Sequence, residues 1–205
     1  ENIVSVYTSL WYKVAGFKQE LLRNPNVKSI SMGAPIGSFI EGSSSGDGSL
    51  VRWTNMDGQE DSLKMVTVFA DGDFIKTFGL ELIKGKLLES DFDKYWGDRN
   101  PNIVINEAAW KGMKVADPIG MELQVNSWSK ARIVGVVKDF NFQSLREKIK
   151  PAFLYYSPEA LSYLHIKIAP EHRQETLKFI QQKYEEMAVQ DDLFVKDFSY
   201  QFFSD

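Results

Sequence analysis

The stretch Arg132–Tyr156, RIVGVVKDFNFQSLREKIKPAFLYY, sets two signals side by side. Arg132 to Val137 is an apolar, largely β-branched run, the composition of a buried strand. Lys138-Asp139 then breaks it, and Phe140 and Phe142 alternate with Asn141 and Gln143 in a turn-like segment. Why a globular domain should follow its most strand-like run with two aromatics in a polar turn is the question on which the fold and the function both hang.

Working outward, the neighbouring segments supply a mixed pattern. Upstream of the stretch, Leu80 to Val137 reads as compact and β-rich, with a strand at Ile103–Ile105, a short helix from Glu107 to Gly112, and strands near Met121–Val125 and Ala131–Val137. Leu50–Thr54 and Leu63–Ala70 read as strands joined through Asn55-Met56-Asp57-Gly58, a hairpin signal. Asp71-Gly72-Asp73 precedes a short helix, Phe74 to Phe78, where an aspartate serves as a cap. Downstream, Leu164, Ile166 and Ile168 form the apolar face of a strand, with Tyr163, His165 and Lys167 on the other. Pro170 starts a helix with an apolar stripe of Leu177, Ile180, Tyr184 and Met187, and Leu193–Phe198 returns as a strand. A strand, crossover helix and strand predict a parallel pair. At the other end, Ile3, Val6, Tyr7, Leu10, Val14, Phe17 and Leu21 recur at three- and four-residue steps and predict one amphipathic helix, stopped by Asn24-Pro25-Asn26. Val27–Met32 reads as a strand. Gly37–Ser49, GSFIEGSSSGDGS, reads as a mobile surface loop. The predicted class is α+β, with an α/β part built from both chain ends and an inserted β-rich part.

Composition narrows the function. The chain has 205 residues, a net charge of −4 and no basic stripe, which argues against a nucleic-acid surface. It has no cysteine, which removes disulfides, thiolate zinc sites and thiol catalysis. No apolar run approaches the roughly 18 residues of a membrane span, and the start at Glu1, without methionine or signal pattern, suggests an excised piece of a longer protein.

Catalytic signals are thin. The two histidines, His165 and His172, fall on a strand's polar face and a first helical turn, where surface roles are the simplest reading. No nucleophile elbow, phosphate loop or dinucleotide fingerprint occurs, so no cofactor is implied. Glu89, Asp91 and Asp93, or Asp71 with Asp73, offer carboxylates for calcium or for acid/base work, without the calcium-loop spacing. The five tryptophans, Trp11, Trp53, Trp96, Trp110 and Trp128, would suit a glycan platform but are scattered over different elements, as core and interface residues are.

Gly135–Pro151, GVVKDFNFQSLREKIKP, resembles a segment of the extracytoplasmic domain of MacB-type, FtsX-like ABC-transporter permeases, in the form common in Bacteroidota. Phe17–Val27, FKQELLRNPNV, is similar to that family's N-terminal helix and its exit. Phe74–Lys86, FIKTFGLELIKGK, resembles its Phe-x-x-x-Phe-Gly-x-x-Leu-x-x-Gly segment, and Asn102–Ala109 and Pro118-Ile119-Gly120 follow in the family's order. The resemblance implies a porter-like subdomain, residues 1–78 and 139–205, with a β-rich "sabre" subdomain inserted over 79–138. It implies a periplasmic location between two transmembrane helices, a cytoplasmic ATPase, a second permease copy, and a periplasmic or outer-membrane partner protein, with no catalysis.

On this reading Phe140, Phe142 and Leu145 lie on the return path between subdomains, and the two phenylalanines pack either across the seam or within one core. Phe39 and Ile40, apolar residues in the glycine-rich loop, either contact a partner or tuck back onto the domain. Two rival functions remain: a stand-alone solute- or glycan-binding module using the tryptophans, and a carboxylate-dependent hydrolase using Asp91 and Asp93. The residues near Glu1 and Asp205 are expected side by side, because both lead to one membrane.

Overall fold

The computed structural model describes residues 2–8, 14–34, 48–55, 57–89, 101–125, 130–140, 148–189 and 200–203. In chain order its elements are β1 (Ile3–Tyr7), α1 (Val14–Leu22), β2 (Val27–Gly33), β3 (Ser49–Thr54), β4 (Glu60–Phe69), α2 (Phe74–Phe78) and β5 (Leu82–Gly85). They continue with β6 (Asn102–Asn106), α3 (Glu107–Met113), β7 (Glu122–Gln124), β8 (Lys130–Val137), β9 (Ala152–Tyr155), β10 (Tyr163–Ile168), α4 (Arg173–Val189) and β11 (Tyr200–Phe203).

The two chain ends build a four-stranded sheet in the order β11-β1-β10-β2, with every neighbouring pair antiparallel. Helix α1 links β1 to β2, and β10 lies between them; α4 links β10 to β11, and β1 lies between those. This is a pair of interleaved split βαβ units, the ferredoxin-like arrangement. The expected return strand, Leu193–Phe198, lies outside the described residues; the strand described after α4 is β11, which runs parallel to β10 but is not its neighbour. Apolar rows cross the sheet, Val4 opposite Ile166 opposite Ile30, and Val6 opposite Leu164 opposite Met32. They pack with Val14, Phe17 and Leu21 of α1 and Ile180 and Tyr184 of α4 as one core. Ile3 lies opposite Phe203, so the described ends of the chain meet at the same end of two paired strands.

The single N-terminal helix is also corrected. Ile3–Tyr7 is a central strand, and among the described residues of this stretch the helix is Val14–Leu22. Ile3, Val4, Ser5 and Val6 are all buried because the strand is covered on both faces, and such a run carries no one-sided pattern.

The second sheet takes its strands from Ser49 to Tyr155, including the 79–138 interval together with β3, β4 and β9. Its pairings run β8-β6-β9-β4-β3-β7 and return to β8, and β5 joins β8 beside β7. The six strands thus close into a small barrel, joined between β3 and β7 by the single pair Arg52 and Gln124. Strand alternation fills it: Val51, Met65, Ile103, Ile105, Leu123, Ala131, Ile133 and Phe153 pack inward, with Ala109 and Met113 of α3 in the same cluster. Val66, Val68, Val104, Val134, Ala152 and Leu154 pack instead with Phe74 and Ile75 of α2.

At Gly135 in β8, backbone comes close to backbone. A Cβ there would lie 2.2 Å from the Lys86 carbonyl oxygen and 3.3 Å from the Val104 side chain. Gly16, in α1, has nothing within 4 Å of the same position. Gly135→Ala is expected to destabilise the chain by about 2–3 kcal/mol, as overpacking does. Gly16→Ala is expected to stabilise it by about 0.5–1 kcal/mol, because alanine has less freedom to lose in a helix. Urea unfolding of both variants checks the opposite signs.

Candidate functional site at the junction of the two sheets

The chain crosses from the four-stranded sheet to the barrel at Gly33-Ala34. Gly33 faces Ala70 in an isolated antiparallel bridge, the Ala34 N–H donates to the Phe69 carbonyl at 3.1 Å, and the Asp71 N–H donates to the Met32 carbonyl at 2.9 Å. The end of β2 and the end of β4 are thereby bonded together. The Asp71 carboxylate extends the tie: Oδ2 accepts the Met32 N–H at 2.8 Å and Oδ1 the Asp73 N–H at 3.1 Å. The Lys18 ammonium, on α1, donates to Asp71 Oδ2 at 3.0 Å and to Asp73 Oδ2 at 2.7 Å.

Two shifts follow from this geometry. Burial pushes the Asp71 carboxyl above its ordinary pKa despite the opposing pull of Lys18 and the Met32 N–H. Burial also works against the Lys18 charge, but Asp71 and Asp73 together outweigh it and raise the ammonium's pKa. The expected cap on α2 is corrected in detail: Asp73 makes no side-chain capping bond. The Asp71 carboxylate receives the Asp73 N–H instead, and the Asp71 carbonyl the Phe74 N–H.

Above this tie lies His165, which the sequence placed on the surface. It is fully buried. Its Nε2 is 3.1 Å from the Ala34 carbonyl oxygen, which can only accept, so Nε2 carries the proton. Nδ1 then accepts from the Ser5 hydroxyl at 2.7 Å. Burial lowers the ring's pKa to about 4, against a small opposing pull from the Ala34 carbonyl, so the imidazole is neutral near neutral pH. Phe78 and Phe74, stacked on each other with centroids 4.3 Å apart, meet the imidazole edge-on at 5.3 and 6.1 Å. Gly33 has no room for a side chain here, since a Cβ would come within 2.8 Å of Nε2. The strand alternates as its sequence does, but its polar face is covered. The available signal was Ser5 and Ser31, small residues opposite His165 on both neighbouring strands, which leave space for a ring between them.

The charged pair after β8 now has its reason. Asp139 Oδ1 accepts the Ala108 N–H at 2.8 Å, in the first turn of α3, and Glu107 Oε2 accepts the Asp139 N–H at 3.3 Å. Lys138 pairs with Glu81 at 2.6 Å. Asp139 thus fixes the chain as it leaves the barrel, and Phe140, half-buried, packs on the apolar cluster that holds Phe74, Val104 and Val137. Phe142, Leu145, Phe39, Ile40, Asp91, Asp93 and most of the glycine-rich loop lie outside the described residues. So do Trp11, Trp96 and Trp128; Trp53 is in the barrel core and Trp110 is half-buried, donating to the Val115 carbonyl at 3.0 Å. Glu89 pairs with Lys86, and His172 is exposed.

Two outcomes are expected. The unfolded chain protonates this imidazole near pH 6.5 and the folded chain only near 4. Between those values the unfolded state holds more protons, so stability falls as pH falls, by about 3 kcal/mol over the window. Asp71, shifted with the opposite sign, cancels in the difference between wild type and His165→Gln. Urea unfolding from pH 7 to 4 should show the acid-side slope flattened in the variant. Asp71→Ala, which strands buried donors, should cost about 3 kcal/mol or more. Asp73→Ala, at the exposed end of the same lysine, should cost under about 1 kcal/mol.

The comparisons with known proteins agree with one another. The family model described as the MacB-like periplasmic core domain matches residues 2–190. No curated protein matches. Among solved structures, the chain is similar to the periplasmic region of MacB from Actinobacillus actinomycetemcomitans, with TM-score 0.60 and 15% identity over 98% of this chain and 88% of that one. A domain of a putative permease from Porphyromonas gingivalis gives TM-score 0.57 and 19% identity, over 98% and 89% of the two chains. The extracellular domain of the noncanonic ABC-type transporter YknZ from Gram-positive bacteria gives 0.58 and 12%, over 99% and 100%. At these identities the structures speak to the fold, and the family model speaks to descent: the chain belongs to the MacB-like periplasmic core domains, the periplasmic part of ABC-transporter permeases.

Proposed function

We propose that this chain is a non-catalytic mechanical element. It couples ATP-driven movement of membrane helices to export, or to a partner protein on the far side of the membrane. The observation that carries this reading is the pairing of β1 with β11, Ile3 opposite Phe203. Both described ends of the chain enter one sheet at one place, so displacement of two flanking membrane helices would be delivered to adjacent strands of a packed unit. The four-stranded sheet with α1 and α4 is the porter-like unit that receives the motion. The barrel is the inserted unit that moves with it or against it, a rigid-body device. The junction at Asp71, α2, His165 and Phe140 is the transmission point, and Phe142 and Leu145 continue that path. A cytoplasmic ATPase, a second permease copy facing the first, and a periplasmic or outer-membrane protein complete the machine, with Phe39 and Ile40 offered to one of the latter two.

The test belongs in the full transporter. Phe78→Ala and Phe140→Ala each remove a half-buried ring from the junction. At equal membrane levels, ATP hydrolysis is expected to stay within about twofold of wild type. Export is expected to fall by about tenfold, the loss that goes with about 1.4 kcal/mol of coupling. Export and hydrolysis both unchanged in the double variant would remove the junction from the mechanism.

A further inference from the structure

Helix α2 makes two unlike contacts. Toward the barrel it is apolar, with Phe74 and Ile75 buried among Val66, Val68, Val104 and Leu154 in one cluster. Toward the four-stranded sheet it packs on β2 and β10, where the row Ser5, His165 and Ser31 is polar and buried. Ser31, and Thr77 on α2, keep buried hydroxyls without a partner among the described residues. Unpaired groups of that kind subtract from adhesion, so the polar contact is the one placed to part.

At the centre of the row His165 is set up to be neutral. Nε2 donates to the Ala34 carbonyl and Nδ1 accepts from the Ser5 hydroxyl. A second proton would sit on Nδ1. The Ser5 hydroxyl would then have to turn and accept, and its own proton would lose its acceptor. The ring meets Ser5 from β1, with Tyr7 beyond Tyr163; from β10 it meets Tyr163, stacked at 6.5 Å. Ser31 faces it from β2, and Phe74 and Phe78 from α2. The charged groups on these elements are Lys28, Lys167 and Lys76, with Asp71, Asp73 and Lys18 at the tie. No carboxylate acts on the ring. An imidazolium here has neither an anion nor water, and lifting α2 supplies the water.

We propose that the contact between α2 and the four-stranded sheet is a proton-operated latch. Uptake of one proton by His165 releases α2, with the barrel it is packed on, from the polar face while both cores stay folded. The Asp71 tie and the Gly33–Ala70 bridge are the pivot. The latch lies within the 205-residue chain and is tested on that chain alone, so its failure leaves the transport reading standing.

The chain has no cysteine, so one introduced thiol is a unique probe. Ser31→Cys places it on the sheet and Thr77→Cys on α2, while Val6→Cys and Val136→Cys place it in the two cores. Dithiodipyridine, a disulfide that exchanges with thiols in acid and releases thiopyridone, labels each variant from pH 7 to 4. Rates are taken relative to the same thiol in the urea-unfolded chain at each pH. Ser31→Cys and Thr77→Cys are expected to label at least about tenfold faster than their own global unfolding allows, and the two core variants at that limit. From pH 7 to 5 the Ser31→Cys and Thr77→Cys rates should rise about twentyfold. That is the factor supplied by a ring that titrates near 4 when covered and near 6.5 when hydrated. Adding His165→Gln should hold the rise under about twofold. Labelling of both contact positions at the global limit, or a rise that survives His165→Gln, would overturn the latch. Where His165→Gln does not fold, the onset decides: a rise from about pH 6.5 supports the histidine, and one that starts below about pH 5 belongs to Asp71 or Asp73 and overturns it.

Discussion

The Asp71 carboxylate is the interaction on which the relation between the two sheets depends. Taking a carboxylate out of water costs several kcal/mol unless charge and hydrogen bonds replace what water gave. Here the replacement comes from three elements at once: the Met32 N–H at the end of β2, the Asp73 N–H at the start of α2, and the Lys18 ammonium on α1. None of the three can move away without exposing the others to that cost. Helix α2, of only five residues, has little stability of its own. It persists because this tie anchors its start while Phe74 and Ile75 are buried against the outer face of the barrel. The Asp71 tie and this short helix thus act together with the backbone bonds at Gly33–Ala70 in holding the barrel against the four-stranded sheet.

How much of this was legible follows from what each residue touches. Strands β2, β3, β4, β6, β8 and β10, and helices α2, α3 and α4, were visible because each has a regular apolar face or sharp end signals. Their bounds moved by a few residues at most, as β4 shows by starting at Glu60 and not at Leu63. Strand β1 was not visible, because burial on both faces erased its period and its spacing matched a helix by accident. Strands β5 and β9 went unread: all four residues of β5 are exposed, and β9 is a four-residue run with no alternation to count. The strand order was beyond local pattern altogether. Whether β11 lies beside β10 or beside β1 depends on pairing between residues at opposite ends of the chain, such as Ile3 and Phe203.

The junction was half legible. The stretch Arg132–Tyr156 raised the right question, since Asp139 and Phe140 do leave the barrel at a fixed angle. The reason for the charged pair, however, lay thirty residues upstream at the α3 start, where Ala108 N–H and Glu107 meet Asp139. His165 was misplaced for a related reason. An alternating strand tells which residues share a face, and only the rest of the fold tells whether that face is wet.

That covered face is unusual in what it is made of. Ser5, His165 and Ser31 form a polar row across β1, β10 and β2, all buried. Ser31 and, on α2, Thr77 leave their buried hydroxyls without partners, each at a cost of about 1–3 kcal/mol. An apolar sheet face of the same area would hold α2 more tightly and without these penalties. The adhesion that remains is concentrated in few places: the His165 bonds to Ser5 and Ala34, the two phenylalanine rings on its edge, and the Asp71 tie. A contact built this way has specific geometry and modest total strength, because directional bonds fix where the surfaces meet while unpaired hydroxyls subtract from how firmly.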